Sequence, residues 1–203
     1  DEHGELIDGD DIMAIAALDM LAQGTLPEKT LVSTVMSNAG LDAAIIAAGG
    51  RVIRTGVGDK HVIDEMLRGG YGFGGEQSGH LIFRDNATTG DGLVAALQIL
   101  RIMQQRGEPL SKLKQCWTRY PQLVTNLKVR VKTPFEQLAG VLELVAKAEA
   151  QVKPHGGRVF LRYSGTEPKA RLLMEGPDET VLRQWSQTIA EAIKAGSINP
   201  RDP

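Results

Sequence analysis

Apolar positions recur along this chain with two different periods, and the change of period divides it in two. Residues 10–22, "DDIMAIAALDMLA", are apolar on nearly every side, with Asp8 or Asp10 able to cap the start and Gly24 to stop the end. That pattern predicts a buried helix. A short β-branched run over 30–36, "TLVSTVM", predicts a strand. Leu41, Ala44, Ile45 and Ala48 then recur at helical spacing up to Gly49-Gly50, and "RVIRT" at 51–55 reads as a second strand. Strand, helix, strand predicts a βαβ unit with parallel strands. A helix over 60–68, a glycine-rich loop over 69–80, a strand at 80–83 and a long helix carrying Leu93, Val94, Leu97 and Leu100 complete an α/β first half.

The pattern weakens over 107–122, where Gly107, Pro109 and Pro121 punctuate the chain, and the expected domains are 1–116 and 117–203. Beyond that point Leu127, Val129 and Val131 alternate with Lys128, Arg130 and Lys132, as a strand with one wet face does. A helix with Leu138, Val141, Leu142, Val145 and Ala148 follows, then strands "RVFLRY" and "ARLLME" and a last helix over 178–194. The expected fold class is thus α/β and α+β. An α/β/α sandwich domain with a mixed sheet precedes a small α+β domain with an antiparallel sheet and two helices on one face.

Composition changes this picture little. At 203 residues, 42% hydrophobic and 24% charged, the chain reads as an ordinary soluble protein with room for two cores. No apolar run approaches the roughly 18 residues a membrane helix requires. A net charge of -2 with scattered basic residues argues against nucleic acid as a partner and leaves a small anionic ligand open. The single cysteine, Cys116, excludes an internal disulfide and a cysteine metal cluster, as expected in a reducing cytoplasm. The start, without Met and without a signal-like run, reads as cut from something longer.

Three loops could carry chemistry. Between the last two strands, Ser164, Gly165 and Thr166 lie between Arg162 and Arg171. Hydroxyls, free backbone N–H groups and two guanidinium forks suit a phosphate, although a polar hairpin with solvated arginines has the same residue types. Glu167 fits a phosphate poorly, so orienting an Arg or bonding loop backbone is its expected task. In "GGYGFGGEQSGH", at 69–80, Glu76, Ser78 and His80 offer a carboxylate, a hydroxyl and an imidazole, a set suited to vicinal sugar hydroxyls. The loop has neither the Gly-Lys-Ser/Thr of a P-loop nor the chain context of a dinucleotide fingerprint. The third, "GVGDKH" at 56–61, follows a strand as a ligand-binding βα loop does, with Asp59 and Lys60 either touching a ligand or serving as helix cap and solvated charge.

The ordered set "GVGDKH", "GGEQSGH", "TTGDG", "YPQ" and "RYSGTEPKAR" resembles the α-D-phosphohexomutase superfamily across the whole chain, most closely its bacterial branch acting on glucosamine phosphates. Gln77 leans towards that branch and away from the phosphomannomutase/phosphoglucomutase branch. The resemblance implies a four-domain enzyme of which this chain supplies domains three and four. It implies that Glu76 and Ser78, with His80, Asp59 and Lys60 around them, hold the sugar, while Arg162, Ser164, Gly165, Thr166 and Arg171 hold the phosphate that is not reacting. It also implies Mg2+ and a phosphoserine, both on loops upstream of Asp1 in the missing domains 1 and 2, and a hexosamine bisphosphate intermediate. Glucosamine 6-phosphate and glucosamine 1-phosphate would be interconverted for cell-wall precursors, and this chain alone would be inactive. "DGDD" at 8–11 resembles the metal loop but lacks its closing Arg, and is expected to cap a helix. "GDKH" stands where that branch has Gly-Asp-Arg-Tyr, which leaves open which of Asp59, Lys60 and His61 meets the ligand. A non-catalytic sugar-phosphate binding module would use the same two loops.

Overall fold

The structure is a computed structural model that describes residues 1–196; residues 197–203, the tail of the expected second domain, lie outside the described residues. The chain divides into two compact units, the first Asp1–Arg119 and the second from Tyr120 onward. Trp117, placed by the sequence reading at the head of the second domain, packs in the core of the first.

The first unit runs α1 (Gly9–Gln23), β1 (Thr30–Thr34), α2 (Ala39–Ala47), β2 (Arg51–Thr55), α3 (Asp59–Gly69), β3 (Phe73–Gly75), β4 (Leu81–Phe83), α4 (Gly92–Arg106) and the single turn α5 (Leu110–Leu113). The sheet order is β2-β1-β3-β4, with β2 and β3 parallel to β1 and β4 antiparallel to β3. Alternation along the strands sorts the core. Leu31, Phe73 and Phe83 pack with α1, α2 and α4, while Val32 and Ile82 pack with Val62 and Met66 of α3. The sandwich is therefore α/β/α with a mixed sheet.

α1 is buried along Met13 to Ala17, as its unbroken apolar run predicts. Asp8 caps it, accepting from the N–H groups of Asp10 and Asp11, while the Asp11 carboxylate accepts from the Asp8 N–H and Gly24 ends it at φ 68°. The glycine-rich stretch holds an element the pattern did not predict, the strand β3. A Cβ on Gly74 would stand 2.7 Å from the Val32 carbonyl oxygen and 2.9 Å from Met66 Sδ, so only glycine lets β3 approach β1 and α3 this closely. Of the apolar residues that mark α4 in the sequence, Val94 packs on the core while Leu93, Leu97 and Leu100 are exposed, and the buried positions are Ala95, Ile99 and Ile102.

The second unit runs β5 (Gln122–Lys128), α6 (Val141–Val152), β6 (Arg158–Tyr163), β7 (Lys169–Glu175) and α7 (Glu179–Gly196). Its antiparallel sheet, in the order β5-β7-β6, carries α6 and α7 on one face over Leu127, Val159, Leu172 and Met174. β5 begins inside the region expected to be irregular and stops at Lys128, which leaves Val131 exposed although Leu127 and Val129 are buried as expected. Leu142, expected in the helix core, is 43% exposed. The sheet face away from these core residues carries three registered rows: Gln122–Glu175–Arg158, Val124–Leu173–Phe160 and Asn126–Arg171–Arg162. Glu175, fully buried, bonds Gln122 and Arg158 and closes one end.

Candidate functional site

In the first unit the β3–β4 hairpin ends in a tight turn. The Gly79 N–H donates to the Glu76 carbonyl at 3.0 Å, and the Glu76 N–H to the His80 carbonyl at 3.0 Å. The start of α1 is docked onto this turn. The Gly9 N–H donates to the Gln77 carbonyl at 3.0 Å, and a Cβ on Gly9 would lie 2.1 Å from the Glu76 carbonyl oxygen. Glu76 is 8% exposed, and its Oε1 accepts from the Gly58 N–H at 2.8 Å. The hairpin and the βα loop after β2, read separately from the sequence, are thus joined through one carboxylate oxygen.

The other oxygen, Oε2, lies 3.9 Å from His80 Nδ1, and Ser78 Oγ lies 3.5 Å from the same nitrogen. The three side chains expected to act together are therefore gathered on one turn. Beside them opens a cavity of about 360 Å³ lined by Thr34, Met36, Val57, Glu76, Gln77 and Ser78, with Asp8 at its edge. Its floor is the carboxyl end of β1, the position where open α/β sheets receive ligands. Nothing in the sequence singles out Thr34, Met36 and Val57 as ligand-facing, and their place follows from where β1 and β2 end; the Thr34 hydroxyl accepts from the Met36 N–H at 3.3 Å.

The loop at 56–61 differs from its sequence reading in the helix cap, while Lys60 is a solvated charge as one reading had it. Gly58, and not Asp59, stands at the N-cap of α3, and Asp59 is the first helical residue, its Oδ1 accepting from the Lys60 N–H at 2.8 Å. Lys60 Nζ reaches Asp64 at 2.9 Å along the exposed side of the helix. The ring of His61 lies against Gly56 and Gly58.

Below the hairpin, the carboxylates of "DGDD" converge on Arg119, at 2.7 Å from Asp8, 3.3 Å from Asp11 and 3.7 Å from Asp10. Arg119 stacks on Trp117, whose Nε1 donates to Asp11 at 3.0 Å. Asp10 is fully buried, and its Oδ2 accepts from the Asn38 N–H at 3.0 Å. Burial pushes this carboxyl up to about 6 against the pull of the Asn38 N–H, the Ser37 side chain and Arg119. Three carboxylates engaged in capping and in an arginine do not fit a magnesium ion, and among the described residues no group of three His, Cys, Asp or Glu could hold a metal.

In the second unit Arg162 and Arg171 are directly opposite one another across β6 and β7. The Ser164 N–H continues that ladder to the Lys169 carbonyl at 2.8 Å, and Ser164 Oγ accepts from the Glu167 N–H at 3.3 Å, which fixes the turn. Gly165 and Thr166 are exposed at its tip. Gly165 has no left-handed φ, and a Cβ there would meet nothing within 4 Å, so the turn does not depend on glycine. Glu167 accepts from Lys169 Nζ at 2.6 Å and from Arg171 Nη2 at 3.0 Å. These two cations, Lys169 first, hold its carboxyl below the usual range.

The sequence reading missed two lysines at this loop. Lys132 Nζ donates to the Ser164 carbonyl at 2.6 Å, brought there because Tyr163 bonds the Thr133 carbonyl and stacks on Phe135 with ring centres 4.2 Å apart. Lys169 is the other. In the sequence Lys132 stands in an alternating run, where a charge marks a wet face, and Lys169 stands just before the strand "ARLLME".

Residues 8–120 match the family model described as phosphoglucomutase/phosphomannomutase, alpha/beta/alpha domain III, and residues 125–192 match that of the phosphoglucomutase/phosphomannomutase C-terminal domain. Over 194 residues, 96% of this chain, the sequence is 50% identical to the phosphoglucosamine mutase of Geotalea daltonii, of which it spans 42%. Among solved structures it resembles the Aspergillus fumigatus N-acetylphosphoglucosamine mutase, with a TM-score of 0.74 at 20% identity over 95% of this chain and 44% of that one. A second structure of that fungal enzyme, in complex with GlcNAc-6P and magnesium, gives 0.71 at 20% identity over 96% and 45%. At such identity the likeness is one of fold. Among the described residues no helix is long and apolar enough to cross a membrane.

Proposed function

The chain belongs to the phosphoglucomutase/phosphomannomutase family, and from that premise we propose that it is the sugar- and phosphate-binding part of a cytoplasmic bacterial phosphoglucosamine mutase. The first unit, as domain III, carries the sugar loop; the second, as C-terminal domain, carries the phosphate loop. The observation that carries the reading is the state of Glu76. One of its oxygens is spent on the Gly58 N–H, which fixes the carboxylate, the other lies 3.9 Å from His80 Nδ1, and the residue lines a cavity of about 360 Å³. A fixed acceptor beside a hydroxyl and an imidazole suits a polyol, and the surrounding Met36 and Val57 suit the C–H surface of a sugar ring.

On this reading Glu76 and Ser78 accept from and donate to ring hydroxyls, with His80 beside them and Asp59 and Lys60 at the rim. Arg162, Ser164, Gly165, Thr166 and Arg171 hold the phosphate at the far end of the substrate while the near end reacts. Either glucosamine 6-phosphate or glucosamine 1-phosphate can then present its reacting end, with a bisphosphate formed between the two transfers. The phosphorylated serine and the ligands of a magnesium ion, which offsets charge developing in phosphoryl transfer, belong to the rest of the longer protein. This chain alone turns over no substrate.

The test uses the full-length protein and Glu76→Gln, which keeps the shape and the acceptor for Gly58. Loss of charge-assisted bonding to hydroxyls, on the order of 2–4 kcal/mol, lowers kcat/KM for glucosamine 6-phosphate roughly 30- to 1000-fold with little change in melting temperature. An unchanged kcat/KM removes Glu76 from the site. A preference for mannose 6-phosphate over glucosamine 6-phosphate in the parent protein rejects the amino sugar as substrate.

A further inference from the structure

The open face of the second unit's sheet brings like charges together. Arg171 is opposite Arg162, and one row further along, Lys169 is opposite Lys128. Side chains two residues apart on a strand share a face, so these cations border one end of that face together with the Ser164–Thr166 turn. Like charges directly opposite in a sheet repel, and nothing in the packing of the core requires them here. The carboxylate that meets them is Glu167, and it meets two at once, Oε1 on Lys169 and Oε2 on Arg171.

The backbone of Glu167 is itself tied down. Its N–H donates to Ser164 Oγ, its carbonyl accepts from the Lys169 N–H at 2.8 Å, and Pro168 stiffens the step between. The carboxylate therefore springs from the turn that is read as the phosphate loop and reaches to the adjoining strand. It occupies one terminal nitrogen of Arg171 and leaves the remainder of that guanidinium fork, and all of Arg162, to other partners.

We propose that Glu167 is a positioning residue of the phosphate cradle, holding the Lys169 and Arg171 cations side by side so that both meet an incoming phosphate group without first being ordered. The inference rests on the reading of Ser164–Thr166 as a phosphate loop and adds Lys169 to its ligands. Its physical basis is preorganisation: long cationic side chains lose rotamer freedom when they bind, and an anchor that has already removed that freedom raises affinity.

A positioning role and an inhibitory one make opposite predictions. If the carboxylate merely occupied the place of the anion, removing its charge would make the loop more positive and phosphate would bind more tightly. Under the proposal binding weakens although the loop becomes more positive, a sign that simple charge arithmetic cannot produce.

The experiment titrates inorganic phosphate into the 203-residue chain, following backbone amides of the loop by NMR, for the parent, Glu167→Gln, Glu167→Asp and Arg162→Ala. Glu167→Gln is expected to raise the Kd about 5- to 30-fold at an unchanged melting temperature. Glu167→Asp, which keeps the charge on a shorter arm, is expected to lie between it and the parent. Tighter or unchanged binding in Glu167→Gln overturns the proposal, as does a fall in melting temperature with no change in Kd. If Glu167→Gln does not fold, Glu167→Asp binding as tightly as the parent overturns it. Arg162→Ala separates the two levels of the argument. When it weakens binding and Glu167→Gln does not, only the role of Glu167 fails; when neither does, the phosphate reading of the loop fails with it.

Discussion

The two candidate loops are built on opposite principles. The loop proposed to hold the sugar is a matter of close packing: a tight turn whose backbone is hydrogen-bonded to α1 and whose Glu76 side chain accepts from Gly58 at the cap of α3, with glycines where backbone meets backbone. The loop proposed to hold the phosphate, in the second unit, is a matter of charge, an open turn with one glycine that touches nothing, bordered by opposed cations and one bridging carboxylate. Selecting a sugar requires a shape held to fractions of an ångström, because hydroxyl acceptors are useful only at defined distances. Holding a phosphate requires donors in number, and a dianion is forgiving about the backbone behind them.

The comparison can be broken at its glycines. Gly9→Ala places a methyl group on the Glu76 carbonyl. Relieving that clash must separate α1 from the hairpin, at on the order of 3 kcal/mol or more and a fall of about 10 °C in melting temperature. A Gly9→Ala chain that melts with the parent would show that the docking of α1 on the turn is not tight.

A second test uses two carboxyls that their surroundings push in opposite directions. Burial holds Asp10 up to about 6, whereas Lys169 and Arg171 hold Glu167 down. For Asp10 the folded form keeps its proton where the unfolded chain has lost it, so its contribution is fully present below about 4 and lost as pH rises to about 6. Ionising it costs on the order of 3 kcal/mol. Asp10→Asn should abolish that part of the fall in stability between about pH 4 and 6, and leave the variant as stable as the parent, or more so, at pH 7. Urea unfolding at several pH values measures it, and parallel curves for parent and variant would refute the buried-carboxyl account. Glu167 works the other way: its stabilising pairs are present above the usual carboxylate range and fade as pH falls below it.

The smallest expected effect is the sharpest contrast with the first. Gly165→Ala, at the tip of the phosphate loop, should change the melting temperature by less than about 1–2 °C, since the added Cβ meets nothing. A large loss would mean that this turn too depends on glycine.

This contrast explains what was legible in the sequence. Elements with a clear local signal are legible: α1 from its unbroken apolar run between an Asp cap and Gly24, the strands β2, β6 and β7, and the order of elements in the second unit. The strand β3 leaves little local signal because two of its three residues, Gly74 and Gly75, have no side chain, and its strand character comes from pairing with β1 and β4. Glu76, Ser78 and His80 were identifiable as a set since they are neighbours in the chain. The bond from Glu76 to Gly58 joins residues eighteen apart and leaves no local mark. Lys132 likewise reaches its loop only through the Tyr163 and Phe135 stack.

Arg119 is the last residue of the first unit, and it is held by Asp8 and Asp11 at the very start of α1. The next residue of that helix, Gly9, grips Gln77 of the sugar loop. In mechanical terms the chain leaves the unit from a bollard bolted to the same beam that carries the binding turn. Three carboxylates and the indole of Trp117 hold Arg119, so the exit of the chain and the foot of Glu76 share one anchorage.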